Sequence, residues 1–258
     1  MDSPEREGFQ AEPEAVFRFM GEFFKVLVDC GVSEVCISPG SRSTPLAVAA
    51  HRSSGLNTRV ILDERSAAFF ALGLARQSQR TVALICTSGS AAANYLPAVI
   101  EAHHARVPLL VLTADRPPEL RDWGAGQTID QVGLYGSAVR LFVDVPPPEG
   151  GRAPLRYAGA LARRSVAEAQ RGPAGPVHLN FPLREPLAPP EELSTLVPDT
   201  SDSSRARESV AAPLRSPDPS ALESLLARVG MVERGVISCG PLPYQPELQE
   251  ALARLSRR

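Results

Sequence analysis

Glu64, in Asp63-Glu64-Arg65, stands between a β-branched stretch and the apolar run 66–75. A carboxylate between a buried strand and a buried helix is partly desolvated, which raises its pKa and lets it share a proton. The plainer alternative is an acid that only complements a helix amino terminus. Two arginines sit in turns of a similar kind. Arg42 lies in Ser38-Pro39-Gly40-Ser41-Arg42-Ser43-Thr44-Pro45. There Pro and Gly make a tight turn, Ser43 or Thr44 is available to cap the next helix, and Pro45 suits its first turn. Arg116 lies in Thr113-Ala114-Asp115-Arg116-Pro117-Pro118-Glu119-Leu120, where the Pro pair restricts it toward extended backbone. Both arginines are expected at the rim of a sheet, where they either grip a carboxylate bidentately or stay solvated. Thr87-Ser88-Gly89-Ser90-Ala91-Ala92-Ala93-Asn94 offers small residues against which a backbone or a flat ligand can pack, and free N–H groups at a helix start. The segment 124–131, with Gln127 and Gln131, adds amide donors and acceptors.

Other chemistries lack their residues. There is no Gly-Lys-Ser/Thr phosphate loop, no G-x-G-x-x-G, no G-x-S-x-G and no C-x-x-C. His103-His104 lacks H-E-x-x-H spacing and reads as a helix end. Cys30, Cys36, Cys86 and Cys239 read mainly as small hydrophobes, three of them in or beside apolar stretches.

The elements that must position these residues alternate. Short apolar runs at 34–38, 59–63, 81–87, 109–113, 141–145 and 177–181 read as strands, and 15–29, 44–52, 65–77, 90–102 and 155–170 as helices. Runs this apolar, without clean alternation, imply strands buried on both faces. The expected fold class is therefore α/β: a doubly wound parallel sheet flanked by helices, over 13–185. In such sheets ligands gather beyond the carboxyl ends of the strands, where each segment above falls. Residues 1–12 read as a polar tail and 186–219, rich in Pro, Ser, Asp and Glu, as a linker. From 220 to 258 a new pattern begins: a helix at 221–229, a strand at 235–238 and a helix at 246–255. It reads as the start of a second α/β domain, cut short after one strand, and hence as a fragment of something longer.

Of 258 residues 43% are hydrophobic and 22% charged, with a net charge of −2. That balance gives no case for nucleic acid. The 27 cationic residues include one lysine, Lys25, an excess of arginine that composition alone can explain. No apolar run approaches the ~20 residues of a membrane span, and the first dozen residues do not resemble a signal peptide, so the cytoplasm is the expected compartment.

Taken together, Ser38-Pro39-Gly40-Ser41-Arg42-Ser43-Thr44-Pro45-Leu46, Asp63-Glu64-Arg65 leading to Ala71-Leu72-Gly73-Leu74-Ala75, and Thr113-Ala114-Asp115-Arg116-Pro117-Pro118-Glu119-Leu120 resemble the SEPHCHC synthases of menaquinone biosynthesis. The resemblance is strong over 15–185 and weak over 220–258; the Thr87–Asn94 turn is similar to that of acetolactate-synthase-like thiamine enzymes generally. It implies a pyrimidine-binding domain followed by a central domain and a diphosphate-binding domain. The cofactors are thiamine diphosphate and Mg2+, held between subunits of a homodimer or larger assembly. The implied reaction is decarboxylation of 2-oxoglutarate and conjugate addition of the four-carbon unit to isochorismate. By the same resemblance Glu64 is the catalytic glutamate facing the aminopyrimidine, Arg42, Arg116, Gln127 and Ser41 bind substrate, and Ser88 and Gly89 contribute to the cofactor site. The family's Gly-Asp-Gly…Asn diphosphate and metal motif is absent, so weak cofactor binding and no turnover are expected of this chain alone, and no metal ligand can be named. Two alternatives stand: another carboligase or 2-oxo acid decarboxylase of the same superfamily, or a noncatalytic pyrimidine-domain module pairing with a separate chain.

Overall fold

The computed structural model describes residues 12–189, 216–240 and 245–257. Residues 1–11 of the expected tail and 190–215 of the expected linker lie outside them. The chain divides into two compact units, Met1–Ala212 and Pro213–Arg258.

In the first unit, β1 (Glu34–Ile37), β2 (Asn57–Val60), β3 (Val82–Cys86), β4 (Leu109–Asp115), β5 (Leu141–Asp144) and β6 (Val177–Pro182) form one sheet in the order β2-β1-β3-β4-β6-β5. Every pairing is parallel. Side chains alternate between two cores, as pleated strands require. Val35, Ile37, Ala83, Ile85, Leu110, Leu112, Leu179 and Phe181 face α1 (Pro13–Asp29), α2 (Thr44–Arg52) and α6 (Arg152–Gln170). Cys36, Val82, Leu84, Cys86, Leu109 and Val111 face α3 (Glu64–Ser78), α4 (Ser90–Asn94) and α5 (Leu96–Ala105). Both faces are covered, so the sheet is doubly wound. The first core is aromatic: Phe23 meets Phe24 and Phe181 edge-on, with ring centres 5.4 and 5.5 Å apart. Each such side chain, fully buried, contributes about 1.5–3 kcal/mol.

Three expectations need correction. β2 is an edge strand with mostly exposed side chains and β5 is only half-buried, so burial on both faces holds for the inner strands alone. β2 also starts at Asn57, earlier than its apolar run, because its ladder follows β1, pairing Glu34 with Asn57 and Ile37 with Val60. The helix expected over 90–102 is two, since Pro97 supplies no N–H to continue α4 and sits in the first turn of α5.

The second unit contains α7 (Pro219–Gly230), capped by the Asp218 carboxylate, and α8 (Pro246–Leu255). The strand expected at 235–238 does not form: these residues have no regular structure. A lone strand has no ladder to complete, and Val236 is 96% exposed.

Candidate functional site

The strand order reverses between β1 and β3, and the turns after these two strands meet there. Gly40 lies against Thr87: a Cβ on it would stand 2.4 Å from the Thr87 Cβ. Only a residue without a side chain allows that approach. Ser43 and Thr44 do not cap α2 as expected. Their hydroxyls turn back, donating to the Gly40 carbonyl at 2.9 Å and the Ser41 carbonyl at 2.7 Å, which tightens the turn.

The turn does not leave Arg42 at a solvated rim. It sends the side chain inward, to 6% exposure, where Nη1 donates to the Leu183 carbonyl at 2.8 Å and Nη2 to Glu185 Oε1 at 3.0 Å. Burial and the nearby Arg116 guanidinium pull the Arg42 pKa down, while Glu185 pulls it up. Ser41 is exposed beside it.

Arg116 is tied to the turn after β3. Its Nη1 donates to Ser88 Oγ, and Nη2 donates to the Gly126 carbonyl at 2.8 Å. Ser88 and Gln127 then bond reciprocally, Ser88 Oγ to the Gln127 carbonyl and Gln127 Nε2 to the Ser88 carbonyl, both at 3.1 Å. Gly89, at φ +84°, packs its Cα against Gln127, and its N–H donates to Gln131 Oε1 at 2.8 Å. The close approach foreseen at Gly89 is thus made by the chain's own glutamine, and its N–H is already spent. Arg42, Arg116, Ser88, Gly89 and Gln127 come together at one end of the sheet.

Beneath them runs a buried polar network that sequence reasoning missed. Gln131, 1% exposed, donates to the Ala114 carbonyl and to Asn180 Oδ1 at 3.1 and 2.9 Å. Thr113 Oγ1 donates to the same Oδ1 at 2.8 Å. Because that hydroxyl proton is committed, His178 Nε2, 2.8 Å away, must be the donor to Thr113, leaving Nδ1 as an unpaired lone pair. Burial pushes the His178 pKa down to about 3. Asn180 Nδ2 donates to Asp115 at 2.8 Å and to Asp144 at 2.9 Å, and the Arg121 guanidinium bridges both carboxylates. Burial lifts Asp115 above the usual carboxylate range despite these partners; for Asp144 the bonds from Arg121 and Asn180 outweigh burial and hold it below. The legible signal was His178-x-Asn180, two polar residues on one face of an otherwise apolar strand.

Glu64 stands apart, at the first turn of α3 after edge strand β2. Asp63 caps that helix, accepting from Ser66 N at 2.7 Å. Glu64 is half-buried and has no hydrogen bond or ion pair among the described residues; its charge reaches Cys86, two residues before Ser88. Its acceptor lone pairs are uncommitted. A ring presenting a donor could take them, so the residue fits a protonated aminopyrimidine. Val60, Leu62, Phe69 and Phe70 on the same edge are exposed apolar groups. Among the described residues no cluster of three or more His, Cys, Asp or Glu could hold a metal.

The thiamine pyrophosphate enzyme N-terminal TPP binding domain matches residues 19–134. A Geobacillus thermodenitrificans protein, a 2-succinyl-5-enolpyruvyl-6-hydroxy-3-cyclohexene-1-carboxylate (SEPHCHC) synthase, is 49% identical over 93% of this chain and 40% of its own length. The synthase of the same name from Geobacillus kaustophilus is 51% identical over 90% of this chain and 40% of that protein, and that from Bacillus velezensis 47% over 92% and 41%. The chain spans about two fifths of the length of these curated relatives. Over that part the chain is similar to the SEPHCHC synthases, and residues 19–134 of its six-stranded domain match the thiamine pyrophosphate enzyme N-terminal domain.

Proposed function

We propose that this chain supplies the pyrimidine-facing part of a SEPHCHC synthase, which joins a 2-oxoglutarate-derived unit to isochorismate in menaquinone biosynthesis. One observation carries the reading. Two guanidiniums, Arg42 and Arg116, lie within electrostatic reach of each other at the carboxyl edge of a sheet whose next turn presents an uncommitted, half-buried carboxylate, Glu64. When bound, thiamine diphosphate supplies the electron sink that a 2-oxo acid needs to lose carbon dioxide. Glu64 holds a proton at the aminopyrimidine ring nitrogen and so sets the cofactor's tautomer. Arg42 and Arg116 orient the carboxylates of two dicarboxylic substrates, with Gln127 and Ser41 as neutral partners. Ser88 and Gly89 form the wall of the cofactor site, their own donors engaged by Gln127 and Gln131. Magnesium enters by family resemblance alone, and no residue of this chain is assigned to it.

The domain limits 13–185, 186–219 and 220–258, a homodimer as the smallest active unit and a cytoplasmic setting belong to the same proposal. It is supported by the identity to the synthases and, for the last, by the absence among the described residues of any helix long and apolar enough to cross a membrane. The test is an assay of this chain continued by the remaining sequence of the Geobacillus kaustophilus relative. Carbon dioxide release from 2-oxoglutarate with adduct formation only when isochorismate is present is expected. Equal turnover of other acceptors would reassign it to a neighbouring carboligase.

A further inference from the structure

Arg42 and Glu185 form an unequal pair. The Arg42 side chain is 7% exposed and that of Glu185 72%. A guanidinium does not shed its proton, so a buried one needs a countercharge at all times. Among the described residues Glu185 is the only anion hydrogen-bonded to Arg42; Asp115 attracts it less strongly and from further off, and Arg116 repels it. Yet Glu185 fills that role incompletely. The Nε and Nη2 atoms of an arginine form one fork, matched to the two oxygens of a carboxylate. Glu185 occupies Nη2 at 3.0 Å, while Nε, closed to solvent, has no hydrogen-bond partner among the described residues. A carboxylate free to approach in line with the fork would satisfy both. From the side of the anion, release is cheap, because an exposed Glu185 is simply resolvated. From the side of the cation it is costly unless another anion arrives.

We infer that Glu185 is a tethered stand-in for a ligand carboxylate: it neutralises Arg42 in the free chain and gives way when a dicarboxylate takes the Nε–Nη2 fork. The inference rests on the reading of Arg42 as a substrate ligand. It makes Glu185 a residue that sets how tightly acids bind at this edge. An acid must compete with an anion already attached to the protein, which raises its apparent Kd without any contact to it.

The test uses the full chain, with succinate as the probe at constant ionic strength set by chloride. The Arg42 Nε–H resonance and the melting temperature are followed during titration. Glu185→Gln should bind succinate about tenfold more tightly, as expected when a charge-assisted hydrogen bond no longer has to be broken first. It should also melt lower without succinate, and gain more from it, than the native chain. Adding Arg42→Gln to that variant should abolish the effect. Unchanged or absent succinate binding in Glu185→Gln, or binding that survives loss of Arg42, overturns the inference. If the succinate result holds but Glu64 proves irrelevant to the cofactor, only the thiamine assignment falls; the reverse pattern removes only the role of Glu185.

Discussion

The two sides of the carboxyl edge are built on opposite principles. On the β4–β6 side, Asp115, Asn180, Gln131, Thr113, His178 and Arg121 are joined in a buried, directional network beside the turn carrying Arg116, with His178 Nδ1 its one atom unpaired among the described residues. On the β2–α3 side, Glu64 has no such partner among the described residues, and Val60, Leu62, Phe69 and Phe70 on the same edge are exposed. The first region makes nearly all of its polar contacts within itself. The second leaves its carboxylate and its apolar side chains open. Stability and chemistry should therefore respond to mutation in opposite places.

Substitutions in the buried network should have the largest effects. Asp115→Ala removes a buried anion from Arg121 and Asn180 and should destabilise the chain by about 3–5 kcal/mol in urea unfolding. A loss under 1 kcal/mol would mean the network is not a unit. Gly89→Ala places a side chain at φ +84° and 2.9 Å from Gln127 Cγ. It should cost about 2–3 kcal/mol, read by thermal melting.

His178 makes the buried region sensitive to pH. Its folded pKa, about 3, lies below the ordinary 6.5. The unfolded chain therefore binds a proton that the folded chain refuses, and stability present above pH 6.5 is lost as pH falls toward 3. The slope from this residue approaches about 1.4 kcal/mol per pH unit. His178→Gln should flatten the native curve between pH 6.5 and 4.5; an unchanged slope would place the acid sensitivity elsewhere. At the open edge, Glu64→Gln and Phe70→Ser should each shift stability by no more than about 0.5 kcal/mol.

Much of the fold was legible because local rules sufficed. The apolar runs of β1, β3, β4 and β6 and the limits of α2 and α8 follow from composition and periodicity. β2 was misplaced because its register answers to β1, and the split after α4 needed the Pro97 signal to be weighed above periodicity. The site divides the same way. The turns holding Arg42, Glu64 and Arg116 could be read from residue types. Their partners could not: Leu183 and Glu185 are more than 140 residues from Arg42, and no spacing rule links Gln131 to Gly89 or Asn180.

Glu64, a residue on which the fold depends little, is proposed to govern the cofactor. That role is measured by deuterium exchange at the thiazolium carbon of bound thiamine diphosphate, in this chain continued by the remaining sequence of the Geobacillus kaustophilus synthase. Glu64→Gln should slow exchange by about 100-fold or more, as loss of a positioned proton partner requires. Exchange within twofold of the native rate, with cofactor still bound, would remove Glu64 from that role.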